Sequence, residues 1–263
     1  MGQALTPRQE RERQYYDAFA PSLDDIVVDF DPIRGRERRP WNSYWYLYQV
    51  VGELARPGAR LLDFGCGWGT ASILYAHLGY EVSGFDVSEE NLKTARRLAA
   101  REGVADRVFF SCQAAEKLDY SDGFFDVVAG IDVLHHIEIE RSIMECRRVL
   151  RSGGIAVFRE PLESYIFDRL RNSRLGRWIK TNSASFDTHI TEDERKLSPR
   201  DLSVMEAVFP NPKVVRFRVL SRLDALTSGF TRPLERIDKR LSEIPGFKSL
   251  SGAAVIKLEK RSG

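Results

Sequence analysis

Cysteine is scarce in this chain: Cys66, Cys112 and Cys146 are three among 263 residues and lie far apart, with no CxxC pair. An odd, dispersed set excludes a disulfide framework, and four histidines without finger-like spacing exclude a zinc-finger site. The thiols read as buried and reduced. Long apolar runs are missing too. No stretch approaches the about 18 apolar residues of a membrane span, and MGQALTPRQERERQ offers no apolar core for a signal peptide. The expectation is a cytoplasmic protein without a transmembrane segment. Charge of one sign is also lacking: 40 Lys and Arg face 38 Asp and Glu, a formal charge of +2 that is too balanced to imply a nucleic-acid partner. The surplus at Arg8, Arg11, Arg13, Arg34, Arg36, Arg38 and Arg39 is local and reads as a solvated face. There is no internal repeat and no low-complexity segment.

What is present fits a globular chain. With 43% hydrophobic and 30% charged residues over this length, a sizeable core forms without a disulfide or structural metal. A polar helix is predicted around Glu10–Ala20, then a Pro- and Asp-bearing connector through Pro32. A helix over Trp41–Leu54 sets Trp41, Tyr44, Trp45, Tyr48 and Val51 at helical spacing, chiefly as core. From residue 59 strands and helices alternate. Strands are predicted at Arg60–Phe64, Glu81–Phe85, Val108–Cys112, Phe125–Gly130 and Ile155–Arg159. Helices are predicted at Thr70–Leu78, from an N-cap at Ser88 to Gly103, and at Glu138–Leu150 before Gly153-Gly154. After residue 160 the rhythm breaks into a basic amphipathic stretch, Leu162–Thr188, carrying Arg169, Arg171, Arg174, Arg177 and Lys180. A helix from Ser198 or Pro199 to Phe209 and two late strands, Lys213–Leu220 and Ala253–Leu258, follow. Parallel strands joined by right-handed crossovers give an α/β fold: a doubly wound, seven-stranded, mostly parallel sheet. Its ligand belongs beyond the carboxyl ends of the strands. The expected divisions are a helical lid (1–55), a ligand-binding core (56–160), a cap insert after the fifth strand (161–198) and a completion of the sheet (199–263).

The segment LLDFGCGWGT, residues 61–70, carries the strongest signal. Three alternating glycines after a strand and before a helix let the backbone turn tightly and approach a ligand, and the helix start offers N–H groups to an anion. Asp86, at the end of the next strand, is placed to accept from ribose hydroxyls. The spacing is GxGxG instead of GxGxxG, and Asp63 precedes the first glycine by two positions. A carboxylate there repels a pyrophosphate and welcomes an ammonium. A ribose, an ammonium and an α-carboxylate together describe S-adenosylmethionine (SAM), with S-adenosylhomocysteine (SAH) as product.

Residues 61–160 resemble class I SAM-dependent methyltransferases, especially the branch of quinone-biosynthesis and natural-product enzymes. LLDFGCGWGT is similar to that family's first motif and GFDVS (84–88) to its second. AAEKLDYSDGFFDVV (114–128) is similar to its adenine-side region, IDVLHHI (131–137) to its fourth-strand exit, and RVLRSGG (148–154) to the turn before its fifth strand. The resemblance implies that Asp63, Gly65, Cys66, Gly67 and Gly69 surround the methionine part, that Asp86 holds the ribose, and that Val87 packs on the adenine. It also implies that Ala115 and Glu116 line the adenine edge, with Gly130 and Ile131 at the exit of the fourth strand. Ala114 stands where many relatives carry Asp, so the backbone near Gln113–Ala115 must serve the adenine amino group. Asp86 as a helix cap and Glu116 as a surface carboxylate are the structural alternatives.

Asp132, His135 and His136 follow the fourth strand and are candidates for polarising or deprotonating an acceptor; positioning is the competing role for both histidines. Tyr15, Tyr16 and Phe19 fall where relatives fold a helix over the donor. Glu160 and Arg159 stand at the tip of the fifth strand, and His189 in the insert is a further acceptor-side candidate. No Asn/Asp-Pro-Pro-aromatic tetrad follows the fourth strand, which argues against amino methylation of DNA or of protein glutamine. The implied activity is in-line methyl transfer to an oxygen, nitrogen or carbon nucleophile of a small acceptor. The mixture of Tyr165, Phe167, Trp178 and Phe186 with cations points to a lipophilic or aromatic one. No metal is expected. A SAM-binding regulatory or partner protein without catalysis and an RNA methyltransferase are the alternatives; oligomeric state has no signature in the sequence.

Overall fold

The computed structural model describes residues 5–35, 39–164, 195–220 and 231–261. Helix α1 (Pro7–Ala18) opens with a capping box between Thr6 and Gln9. The connector carries one helical turn absent from the sequence reading, α2 (Asp31–Arg34), before α3 (Ser43–Leu54). The core then alternates β1 (Arg60–Phe64), α4 (Thr70–His77), β2 (Glu81–Asp86), α5 (Glu89–Arg101), β3 (Val108–Cys112) and β4 (Phe125–Ile131). A 3-10 turn (Leu134–His136), α6 (Ile139–Val149) and β5 (Leu150–Pro161) follow. The chain continues with α7 (Pro199–Val208), β6 (Lys213–Phe217), α8 (Thr231–Leu241), α9 (Pro245–Lys248) and β7 (Ala253–Glu259).

The seven strands form one sheet in the order β3-β2-β1-β4-β5-β7-β6. The first five run parallel, and β7 lies antiparallel between β5 and β6. This is the doubly wound, Rossmann-like arrangement that the alternation implies, with the strand order reversing between β1 and β4. Successive side chains of a strand point to opposite faces. Leu61 thus joins one core with Leu47, Val51, Ile73 and Leu98 of α3, α4 and α5. Leu62 and Phe64 join the other with Ile143, Val149 and Met205 of α6 and α7. Phe64 packs edge-on against Phe85 and Phe158 at ring separations of 4.8 and 5.6 Å. Asp63 shares the face of Leu61, where α4 brings Ser72 against it.

Strand β5 begins at Leu150, earlier than the predicted Ile155. Leu150 pairs with Phe125 before the register jumps to Ile155 opposite Val127, so 151–154 form an irregularity inside the strand. The late strand predicted at Lys213–Leu220 ends at Phe217, since Arg218 takes a positive φ of 62°. Most of the expected cap, including Tyr165, Phe167, Trp178, Phe186 and His189, lies outside the described residues. Among the described residues no helix is long and apolar enough to cross a membrane.

Candidate functional site

Beyond the carboxyl ends of β1 and β4 lies a cavity of about 450 Å³, within the size range of small-molecule sites. Its floor is the turn between β1 and α4. Gly65, Gly67 and Gly69 all have positive φ, the region that favours glycine. They differ in what they face. A Cβ on Gly67 would meet nothing within 4 Å, whereas one on Gly65 would stand 2.3 Å from Val133 Cγ2 and one on Gly69 2.8 Å from Ala95 Cβ. Gly67 opens to the cavity, Gly65 also permits the close approach of the β4 exit, and Gly69 admits α5. Gly69 therefore does not line the cavity as expected, and neither does Gly130, whose α-carbon faces the ring of Phe158. Cys66, Val87, Ala115, Glu116 and Ile131 do line it.

Two carboxylates flank the turn. Asp86 Oδ2 accepts from Gly67 N at 3.0 Å and Oδ1 from Ser88 N at 2.9 Å, which holds the carboxylate at the cavity wall with Asn91 and Val87 beside it. Asp63 is buried at the cavity wall and accepts from the Ser72 hydroxyl. Burial pushes its carboxyl up to about 7, against the lowering effect of Ser72. Burial raises Asp86 as well, opposed by the N–H groups it accepts. Gly69 caps α4 without a side-chain hydrogen bond, so the helix start presents N–H groups to an anion. Donors for an anionic group, a carboxylate for an ammonium and a carboxylate for vicinal hydroxyls fit an adenosyl amino acid. Gln113 turns elsewhere, its side chain bonding Ser111 Oγ and Asp119 N.

The other wall comes from α1, α3 and the turn after β4. Tyr16 OH stands 3.2 Å from His136 Nε2, and Glu12 Oε2 stands 3.3 Å from His136 Nδ1. Glu116 Oε2 accepts from Gln9 Nε2 at 2.6 Å and Oε1 from Glu138 N at 3.0 Å, tying lid to core. Tyr15 does not line the cavity; its ring packs on Tyr16 and Phe19. Tyr44 and Tyr48, expected chiefly as core, both line the cavity. Tyr44 OH donates to Asp132 Oδ2 at 2.7 Å while Arg159 holds Oδ1 and sits 4.0 Å over the Tyr44 ring. Asp132 has a φ of 53°, a left-handed conformation seen in few non-glycine residues, and its amide donates to Arg159 O. Both oxygens of its carboxylate are therefore engaged, one by Tyr44 and one by Arg159.

Glu160 and His135, expected beside the acceptor, are instead packed beneath the turn. Glu160 is fully buried; Oε1 accepts from Val133 N and Leu134 N at 2.9 and 2.8 Å, and Oε2 lies 2.7 Å from His135 Nδ1. An orphaned N–H pair at a strand exit is costly to bury, and Glu160 satisfies it. Neither residue lines the cavity, whereas His136 does. Asp132, His135 and Glu160 bring candidate ligand atoms within 4.8 Å of one another, the one such trio among the described residues. A metal there would have to displace Arg159 and break the Glu160 bonds. Glu12, Gln9 and Tyr44 carry no motif, which is why sequence reasoning missed their place at the site.

The methyltransferase-domain family matches residues 62–158, the span from β1 into β5. The ubiquinone biosynthesis O-methyltransferase of Roseobacter denitrificans (strain ATCC 33942 / OCh 114) is 32% identical over 192 residues, covering 68% of this chain and 75% of that protein. The sarcosine/dimethylglycine N-methyltransferase of Halorhodospira halochloris is 33% identical over 170 residues, 59% of this chain and 60% of that one. Among solved structures the cyclase SpnF superimposes with a TM-score of 0.62 at 23% identity, over 100% of this chain and 99% of its own, a likeness of fold alone. Sequence relatives, motif order and sheet topology agree, and the chain belongs to the class I SAM-dependent methyltransferases, in the branch of small-molecule enzymes.

Proposed function

We propose that this SAM-dependent methyltransferase acts on a small lipophilic or aromatic acceptor, methylating an oxygen, nitrogen or carbon nucleophile, and that Tyr16 and His136 face it. One observation carries the reading: a single cavity joins the glycine turn and Asp86 to the Tyr16–His136 pair. The relatives are named for O- and N-methylation, which supports a heteroatom nucleophile that arrives protonated.

When bound, SAM supplies a methyl group made electrophilic by its sulfonium. The turn at Gly65–Gly67 and the uncapped start of α4 would hold the amino-acid end, Asp63 its ammonium, and Asp86 the ribose. Val87, Ala115 and Ile131 would flank the purine. Glu116, already accepting from Gln9 and Glu138, would close that side through the lid. Tyr16, Tyr44 and Tyr48 supply a largely apolar wall that excludes water. A phenol that donates to a neutral imidazole can pass its own proton to Nε2 as its oxygen takes up the proton of the acceptor, so that the imidazole is the final base.

In this reading residues 1–55 act as a lid, 56–160 as the SAM-binding core, 161–198 as a substrate cap and 199–263 as the completion of the sheet. The protein works in the cytoplasm without a nucleic-acid partner. Incubation with methyl-labelled SAM and a panel of phenols, catechols and amines should label a small product, and His136→Ala should lower kcat at least about tenfold. Label found only in RNA or protein would overturn the proposal. Tight SAH binding in a calorimeter with no product from any acceptor would favour a non-catalytic SAM-binding partner.

A further inference from the structure

We infer that Glu12 is a positioning residue: from the lid helix it fixes the His136 ring with Nδ1 protonated, leaving Nε2 to accept from Tyr16. The inference rests on the acceptor-side role proposed for Tyr16 and His136. Helix α1 is strongly polar, and Glu12 is its buried residue, 5% exposed. Burying a carboxylate is costly unless a partner repays it. Glu12 and Tyr16 are spaced i and i+4, so one face of α1 presents both to the same ring.

The chemistry of each group fixes the direction of the pair. A neutral imidazole has one N–H and one lone pair, and an ionised carboxylate only accepts. Glu12 Oε2 and Nδ1 are buried side by side 3.3 Å apart, short of hydrogen-bond alignment, and the charge of the carboxylate favours the proton on Nδ1. Nε2, 3.2 Å from the Tyr16 hydroxyl, is left with its lone pair toward the phenol. Among the described residues His135 also packs against this ring, at a centroid distance of 4.2 Å, and its Nδ1 is already committed to Glu160. The lone carboxylate that meets His136 within 4 Å among the described residues comes from the lid. Seating α1 thus sets the imidazole tautomer as well as covering the cavity, and lifting it releases both Glu12 and Tyr16 from the ring together.

The test is nitrogen-15 NMR of the histidine-labelled full chain with SAH at pH 8.5, above the ordinary histidine range. The His136 signals are assigned by their loss in His136→Asn. Wild-type protein should show His136 protonated at Nδ1. Glu12→Ala should move the proton to Nε2, lower kcat about ten- to a hundredfold, and change the Kd for SAH by less than about threefold. Glu12→Gln, which still offers an acceptor oxygen, should retain the Nδ1–H form and recover much of kcat. Glu12→Leu replaces the alanine variant if that fails to fold. An Nε2–H form in the wild type, one tautomer shared by wild type and Glu12→Ala, or wild-type kcat in Glu12→Ala would overturn the inference. The spectra need no acceptor, so a tautomer change with no methylated product would sink the proposed function and leave this inference standing.

Discussion

The ammonium-binding role proposed for the buried carboxyl of Asp63 predicts a SAM affinity that depends on pH. Burial holds it up to about 7, so much of it is neutral in the empty site near neutral pH. The proposed pairing with the ligand's ammonium requires the ionised form, and an apparent Kd scales inversely with the competent fraction. For a group titrating near 7, that fraction falls from ~0.9 at pH 8 to ~0.03 at pH 5.5, so affinity should weaken about 30-fold, or ~2 kcal/mol. Calorimetry with SAH in two buffers of different ionisation enthalpy should find close to one proton released per ligand near pH 6. Asp63→Asn should bind weakly at every pH and lose the slope; Asp86→Ala should keep it. A flat Kd from pH 5.5 to 8 in the wild type, or an unchanged slope in Asp63→Asn, would refute the reasoning. The sign for the unliganded fold is opposite to the usual carboxylate case. The folded pKa lies above the unfolded one, so the native state binds the extra proton between about pH 4 and 7 and stability falls as pH rises through that window.

Four further outcomes follow from the same geometry. Gly65→Ala should destabilise the fold by about 2–4 kcal/mol in thermal or urea unfolding, because its Cβ would enter Val133 and its φ of 72° disfavours a side chain. Gly67→Val, which meets open space, should cost only about 1–2 kcal/mol of stability yet abolish SAH binding by titration. Asp86→Ala should weaken SAH by about 1.5–3 kcal/mol, and unchanged affinity would remove the ribose role. Glu160→Ala should lower stability by about 3 kcal/mol, since Val133 N, Leu134 N and His135 lose their common partner; unfolding in denaturant measures it.

The sheet and the glycine turn were legible because their signals are local. Strand, turn and helix follow one another within residues 60–77, and the positive-φ glycines announce the bend. What a motif does not encode is which way each glycine faces: Gly67 opens to the cavity, while Gly69 and Gly130 make room for Ala95 and Phe158. The early start of β5 was hidden because Gly153-Gly154 reads as a helix stop. Pairing of Leu150 with Phe125, and Arg151 Nε reaching Asp126 Oδ1 at 2.6 Å, carry the strand through it. The aromatic spacing of α3 correctly signalled a buried face, but Tyr44 and Tyr48 lie where that face meets the cavity. Glu12 sits in a run of charges, RERQ, in which nothing local distinguishes a buried carboxylate from a solvated one. His135 and His136 are adjacent in sequence and divided only by the turn that gives one to Glu160 and the other to the lid.

The placement of β7 has a consequence for how the protein is made. Among the described strands β6 bonds only to β7, and β7 fills the slot beside β5, so β6 gains its described sheet neighbour only when residues 253–259 have been synthesised. While a ribosome is still elongating the chain, the parallel five strands can assemble, but the outer flank of β5 stays open to other nascent chains. A transcript cut short before that slot is filled would yield a body with a bare margin, suited to clumping and to capture by chaperones.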